Sequence, residues 1–272
     1  MSATAPASDD LAARVEEISW YHSLELRPGL VTPGWFDTRP IAPTLPMPSD
    51  LSGRRCLDVG TFDGFWAYEM ERRGAAEVVA VDVPDPERWD WPANTEPQAQ
   101  AEIASRRPGA GFALAHEVLG SSVRRLERSV YELDPSELGT FDFVYLGSLL
   151  LHLRDPVRAL ERVHDVCSGE LLLVETVDLP LSLMMPRRPA ATLDVRGRPW
   201  WWTANAAGIR RMAEAARFEP VERPQWVYMP RGEGQGLAPL TLRTLLHPQG
   251  PKRALLALKG DPHVVIRARP LV

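Results

Sequence analysis

The chain is weakly patterned at first and becomes strongly periodic after residue 50. Residues 11–18 carry apolar side chains at helical spacing. Residues 20–50 are crowded with proline and glycine, as in Arg27-Pro28-Gly29 and Thr32-Pro33-Gly34-Trp35, a density that excludes long regular elements. A tail and lid arm over residues 1–50 is expected. From Leu51 onward short apolar runs alternate with segments of helical period. Residues 55–59 read as a strand, 65–73 as a helix, 78–83 as a second strand, 98–105 as a weaker helix, 123–130 as a third strand and 141–146 as a fourth. Residues 156–166 read as a helix opened by Asp155-Pro156, because the aspartate caps free N–H groups and proline loses nothing at the first helical position. A fifth strand follows at 170–176, a helix at 206–216, and closing strands at 221–228 and 253–258. Strands alternating with helices predict an α/β fold, a doubly wound and mostly parallel seven-stranded sheet covered on both faces. The expected domain spans 51–272, with a lid insertion around 178–205.

Composition narrows the class without naming it. At 272 residues, 44% apolar and 25% charged, the chain is globular rather than disordered. No run of eighteen uncharged apolar residues occurs, so no membrane span is expected. The first ten residues have no basic start and no apolar middle, so neither signal peptide nor anchor is expected there and a cytoplasmic location follows as an expectation. Cys56 and Cys167, far apart in apolar contexts, suit buried thiols better than a disulfide or a metal site. A net charge of −5 gives no electrostatic argument for a nucleic-acid partner.

Chemistry concentrates in Leu57-Asp58-Val59-Gly60-Thr61-Phe62-Asp63-Gly64-Phe65, a strand entering a glycine turn and then a helix. Glycine lets a ligand approach the backbone, and the helix presents its positive end. The next strand ends in Val81-Asp82, an acidic residue about twenty positions after the turn, where a carboxylate can accept both ribose hydroxyls of a nucleoside. The nucleoside stays open between a dinucleotide and an adenosyl sulfonium compound. Asp63 inside the turn would repel a pyrophosphate, and it suits a ligand carrying ammonium or sulfonium charge.

The sequence resembles the class I S-adenosylmethionine-dependent methyltransferases, Rossmann-like enzymes, and more closely the tRNA wobble-uridine carboxymethyltransferase family and its small-molecule relatives. Five segments carry the resemblance: Trp20-Tyr21-His22 with Gly29 to Gly34, Leu57 to Gly64, Gly147 to Pro156, Gly169 to Thr176, and Pro251 to Leu255. It implies S-adenosylmethionine as cofactor, with Gly60 at its methionine part, Asp82 at its ribose, and Val130 and Tyr131 beside its adenine. Trp35 and Gly147 would complete a pocket that also takes in Asp58, Thr61, Phe62, Asp63, Val83 and Ser148. The tRNA family uses a carboxylated donor whose extra carboxylate is gripped by a lysine, a tyrosine and an arginine. Here the matching positions are Tyr21, Leu151 and Arg253. Losing a cation and a hydroxyl leaves a buried carboxylate poorly paired, at a cost of about several kcal/mol, so the resemblance with these departures implies ordinary S-adenosylmethionine.

His152, after the fourth strand, and His22, on the arm, are the candidate proton acceptors. Glu175 ties down a loop on this reading, or orients the base. His116, His164, His247 and His263 fall on helices or peripheral segments and read as surface or structural. Trp200-Trp201-Trp202 cannot all face one core, so at least one should line a cavity or a subunit contact. The arginine pairs at 72–73, 106–107, 124–125, 187–188 and 210–211 are scattered among acids and read as a solvated face. The expected activity is methyl transfer to a small-molecule acceptor, an O-methylation of a secondary metabolite or sugar, with a homo-oligomer possible. A tRNA wobble-uridine methyl- or carboxymethyltransferase is the alternative, and a non-catalytic binding protein on the same fold the third reading.

Overall fold

The computed structural model describes residues 8–193, 199–235 and 250–272. The arm begins with α1 (Ser8–Glu16) and a small hairpin of β1 (Glu25–Arg27) and β2 (Leu30–Val31). The alternating part follows as β3 (Arg55–Val59), α2 (Phe65–Arg72), β4 (Glu77–Asp82), α3 (Pro97–Ser105), α4 (Ala110–Leu119), β5 (Arg124–Glu127), the one-turn α5 (Pro135–Leu138), β6 (Phe141–Gly147), α6 (Pro156–Val166) and β7 (Cys167–Thr176). After β7 come α7 (Leu179–Met184), the antiparallel pair β8 (Ala191–Leu193) and β9 (Trp202–Ala204), α8 (Ala206–Ala215), β10 (Phe218–Pro220), β11 (Gln225–Met229), α9 (Gly250–Lys259) and β12 (Asp261–Pro270).

The central sheet runs β10, β12, β7, β6, β3, β4, β5. The strands from β7 through β5 are mutually parallel, and β12 lies antiparallel to β7. Both β10 and β11 pair with the outer side of β12, at its two ends, so the short strands share one edge position and the sheet has seven positions. From β3 the chain steps outward through β4 to β5, then returns to the other side of β3 with β6. Crevices at such a reversal are where open α/β sheets bind ligands, beyond the carboxyl ends of the strands.

Apolar clusters fill both faces. On one, Cys56 of β3 joins Trp66 and Met70 of α2 and Trp20, Leu24 and Leu26 of the arm; on the other, Leu57 and Val59 meet Leu160, Val163 and Ile209. Adjacent β3 residues thus feed opposite cores, which explains why Cys56 and Leu57 are both apolar rather than alternating with polar residues. Trp20 is 1% exposed and its indole N–H donates to the Val15 carbonyl, so the base of the arm is part of the core. Cys56 and Cys167 are free and buried.

The sequence placed α6 at its observed bounds, and Asp155 accepts from the Arg158 N–H at 3.0 Å. Elsewhere the structure differs. The third strand is only Arg124–Glu127, and Val130 already lies in a short 3-10 turn. Helix α4, between left-handed Gly109 and Gly120, had no sequence assignment. The expected strand at 253–258 is helix α9, and the sheet closes instead with β12. The run Ala254-Leu255-Leu256-Ala257-Leu258 is apolar but has no β-branched residue, whereas β12 carries Val264-Val265-Ile266. Helix propensity for alanine and leucine and sheet preference for branched side chains decide between the two.

Candidate cofactor and acceptor site

The turn after β3 is built by its own backbone. Gly60 and Thr61 donate to the Val81 carbonyl at 2.9 and 3.2 Å, and Gly64 donates to Thr61 at 2.8 Å. Gly60 and Gly64 have φ of 76° and 89°, a left-handed conformation that favours glycine. A Cβ on Gly60 would stand 3.2 Å from a Leu149 methyl, and one on Gly64 only 2.5 Å from the Tyr68 ring. Phe62, at φ 49°, turns its N–H to Asp82 Oδ2 at 2.6 Å, while Val83 donates to Asp82 Oδ1 at 2.7 Å. Gly60, Thr61, Phe62, Asp82 and Val83 therefore form one cradle at the sheet reversal. Burial raises the Asp82 carboxyl above its ordinary range, and Arg125 and the two amides oppose that rise.

Asp58 and Asp63 are placed differently from Asp82. Asp58 Oδ2 accepts from the Thr61 hydroxyl at 2.7 Å and the Ala67 N–H at 3.1 Å, tying the turn to α2. Asp63 Oδ2 accepts the Tyr21 and His22 amides at 2.6 and 3.0 Å, so its carboxylate clamps the arm to the turn. Each is 1% exposed, and burial pushes both carboxyls up to about 7. The sequence argument that Asp63 faces a ligand's positive charge is not what the geometry gives. Its lone pairs serve backbone amides, a local use of aspartate that a D-x-G pattern does not reveal.

Aromatic rings wall the cradle on the arm side. Tyr21 lies 5.2 Å from Phe62 and 6.1 Å from Trp35, centroid to centroid, and the Arg106 guanidinium stands 4.2 Å over Trp35. On the far side Val130 is buried, and the Tyr131 hydroxyl donates to Asp90 Oδ2 at 3.0 Å while accepting from the Asp155 N–H. The Trp89 indole reaches the Val83 carbonyl at 2.6 Å. At the end of β6, a Cβ on Gly147 would meet the Tyr145 hydroxyl at 2.5 Å.

A polar cluster missed by sequence reasoning lies beyond Gly147. His263 Nε2 is 3.0 Å from both Ser148 Oγ and Thr176 Oγ1, and its Nδ1 is 2.9 Å from the Asp261 carbonyl. The carbonyl requires Nδ1–H, so Nε2 is the acceptor, and its single lone pair takes one of the two hydroxyls at a time or is shared between them. Burial lowers His263 to about 4 and keeps it neutral. Its one sequence signal was its place immediately before a β-branched run. Glu175 is 0% exposed; its Oε1 accepts from the Leu149 and Leu150 amides at 2.9 and 3.1 Å. Its Oε2 has no partner among the described residues, and burial pushes the carboxyl up to about 8. Glu175 shares a small cavity with Leu151, Trp202 and Ile209.

The two candidate bases differ in access. His22 is 5% exposed, packs 5.7 Å from Phe65, and burial holds it near 3. His152 is half-buried, with Nδ1 at 2.6 Å from the Pro199 carbonyl. That contact fixes Nδ1–H and leaves Nε2 as the acceptor, while burial lowers its pKa. The Trp201 indole donates to the Asp90 carbonyl at 2.5 Å and the Trp202 indole to the Arg154 carbonyl at 3.1 Å, joining the insertion to the loops after β4 and β6. Arg253 belongs to α9, but its side chain lies outside the described residues, as does His247.

A family model for a methyltransferase domain matches residues 37–222. The tRNA U34 carboxymethyltransferase of Ectopseudomonas mendocina (strain ymp) is 28% identical over 177 residues, covering 63% of this chain and 47% of that protein. Its counterpart in Pseudomonas syringae pv. tomato (strain ATCC BAA-871 / DC3000) is 28% identical over 132 residues, 48% of this chain and 35% of that one. The chain thus spans half or less of the curated relatives it matches. Among solved structures, the N-terminal domain of EvdMO1 with S-adenosylhomocysteine bound aligns over 100% of both chains at TM-score 0.54 and 15% identity, a likeness of fold. With the family model covering well over half of its length, the chain belongs to the methyltransferase-domain family.

Proposed function

We propose that the protein is an S-adenosylmethionine-dependent methyltransferase that methylates an oxygen atom of a small-molecule acceptor. The observation that carries the cofactor assignment is the cradle at the sheet reversal, where bare Gly60 and the two-amide carboxylate of Asp82 stand side by side. A carboxylate offers about four lone-pair positions. Phe62 and Val83 use two, so Asp82 retains two for the ribose hydroxyls. Val83, Val130 and Tyr131 border the adenine, Gly60 and Gly147 leave backbone open to the methionine part, and Tyr21, Trp35 and Phe62 give the aromatic wall. When bound, S-adenosylmethionine supplies a methyl group already activated by sulfonium. The chain's own task is alignment, exclusion of water and acceptance of one proton. His152 takes that proton at Nε2, because its other nitrogen is committed to Pro199.

The small-molecule reading is favoured over the tRNA reading by what surrounds the departures from the tRNA family. Leu151 is buried beside Glu175 in one cavity, so an extra donor carboxylate there would find an apolar wall and a second acid in place of a hydroxyl. Six of the ten paired arginines stand in ion pairs: Arg72 and Arg73 with Glu69, Arg106 with Glu102, Arg124 with Glu77, and Arg210 and Arg211 with Glu214. Phosphate recognition needs free cations. Titration calorimetry with S-adenosylmethionine tests the assignment: Asp82→Ala should weaken binding by more than about tenfold, a loss that even one charge-assisted hydrogen bond would account for. Equal affinity in the variant removes Asp82 from the site, and transfer of a carboxymethyl group to tRNA would reverse the choice of donor.

A further inference from the structure

Arg125 is only partly partnered within the fold. It lies on β5 opposite Ala80 of β4, two residues before Asp82, so it occupies the same face of the sheet as Asp82 and is its diagonal neighbour across the strand pair. Its guanidinium passes 4.9 Å from the Phe112 ring, and Nη1 donates to the Gly109 carbonyl at 3.2 Å. Gly109 is fitted to it, since a Cβ there would come within 2.7 Å of Nη1. Nε and Nη2 are sealed from solvent and have no hydrogen-bond partner among the described residues. A buried cation with idle donors is costly unless nearby acids compensate it through their field.

Those acids are at the cradle. Asp58 on β3 and Asp63 in the turn are buried, and half-buried Asp82 on β4 lies within electrostatic reach of both. Glu127 stands opposite Asp82 at the exposed end of β5, and Asp85 follows on the loop. Arg128 donates its backbone N–H to the Asp82 carbonyl but sends its guanidinium to Glu137. Arg125 is therefore the cation whose field reaches Asp82 from inside the fold, among acids that would each drive Asp82 toward its protonated form.

We infer that Arg125 is a positioning residue that keeps Asp82 ionised, and so sets the pH range over which the protein holds the ribose of its adenosyl cofactor. The inference rests on Asp82 as the ribose acceptor. Two backbone N–H groups and two ribose hydroxyls together require all of a carboxylate's acceptor positions, and protonation removes one. Arg125 touches neither the ribose nor the amides. It acts by disfavouring that proton.

The experiment is calorimetric titration of the full chain with S-adenosylhomocysteine between about pH 6 and pH 9, where a single protonation shows as up to a tenfold change in affinity per pH unit. Arg125→Gln should bind at least about fivefold more weakly at the acid end than at the alkaline end, while the wild type stays flat and Arg125→Lys follows the wild type. A glutamine variant whose profile runs parallel to the wild type overturns the inference. Asp82→Asn separates this result from failure of the site assignment: full affinity in that variant defeats the ribose reading, whereas its loss beside a flat Arg125→Gln profile defeats only the role given to Arg125. If the glutamine variant does not fold, carbon-13 NMR of the Asp82 carboxyl in the wild-type protein decides, since a carboxyl found protonated at neutral pH sinks the proposal.

Discussion

At the scale of single residues, the site separates groups that hold the backbone from groups left free to meet a ligand. Asp58, Asp63 and Glu175 each spend oxygens on backbone amides or a neighbouring hydroxyl, and His22 is enclosed. His152 is different, because its Nδ1–H is anchored to Pro199 and its second nitrogen is uncommitted in the same half-buried loop. A general base contributes roughly 10²–10⁴-fold, so His152→Ala should lower kcat by at least about a hundredfold while calorimetric affinity for S-adenosylhomocysteine stays within about twofold of wild type. His152→Asn keeps a donor toward Pro199 but lacks the basic nitrogen, so it should fail equally in turnover. Retained turnover in the asparagine variant would show that the side chain only fixes the loop.

At the scale of elements, the arm and the glycine turn depend on one another through a single carboxylate. Asp63 Oδ2 takes two arm amides, and Gly111 leaves room for Oδ1, with any Cβ there only 3.0 Å from the Asp63 carboxyl carbon. Asp63→Ala should strand two buried N–H groups at about 1–3 kcal/mol each, lowering the denaturation midpoint and opening residues 20–36 to limited proteolysis. A variant equally stable and equally resistant would mean that Trp20 and Leu24 hold the arm unaided. Patterns with a short period were legible in the sequence: α6 with its Asp155 cap, β3 running into the Gly60 turn, and Asp82 at the end of β4. The losses have a common cause. A leucine run without branched residues satisfies helix and strand periods alike, so 253–258 reads as a strand and 261–270 receives no element. His263 was unreadable because its partners Ser148 and Thr176 come from distant strands, and Asp63 because the amides it binds lie forty residues earlier.

At the scale of the whole molecule, concentrating buried acids and histidines at one edge of the sheet makes stability depend on pH in a definite direction. Burial raises Asp58 and Asp63 to about 7 and Glu175 to about 8. Each favours folding fully below its unfolded value near 4, and loses that contribution as pH rises through its folded value. The buried histidines oppose this, since His22 and His263, lowered to about 3 and about 4, and His152, also lowered, contribute above their unfolded value near 6.5 and are lost on acidification. Below about pH 6.5 the two sets oppose one another, whereas above about 6.5 the histidines no longer change and the acids act alone. Unfolding free energy should therefore change less steeply on the acid side of neutrality and fall by a few kcal/mol, in order of magnitude, between about pH 6.5 and 9. Glu175 supplies the largest share because its folded value is highest, so Glu175→Gln, which keeps an oxygen for the Leu149 and Leu150 amides, should remove roughly half of the decline. Urea denaturation across that range measures it. A stability that rises with pH, or a glutamine variant with the wild-type slope, would show that these carboxyls ionise within the fold at little cost.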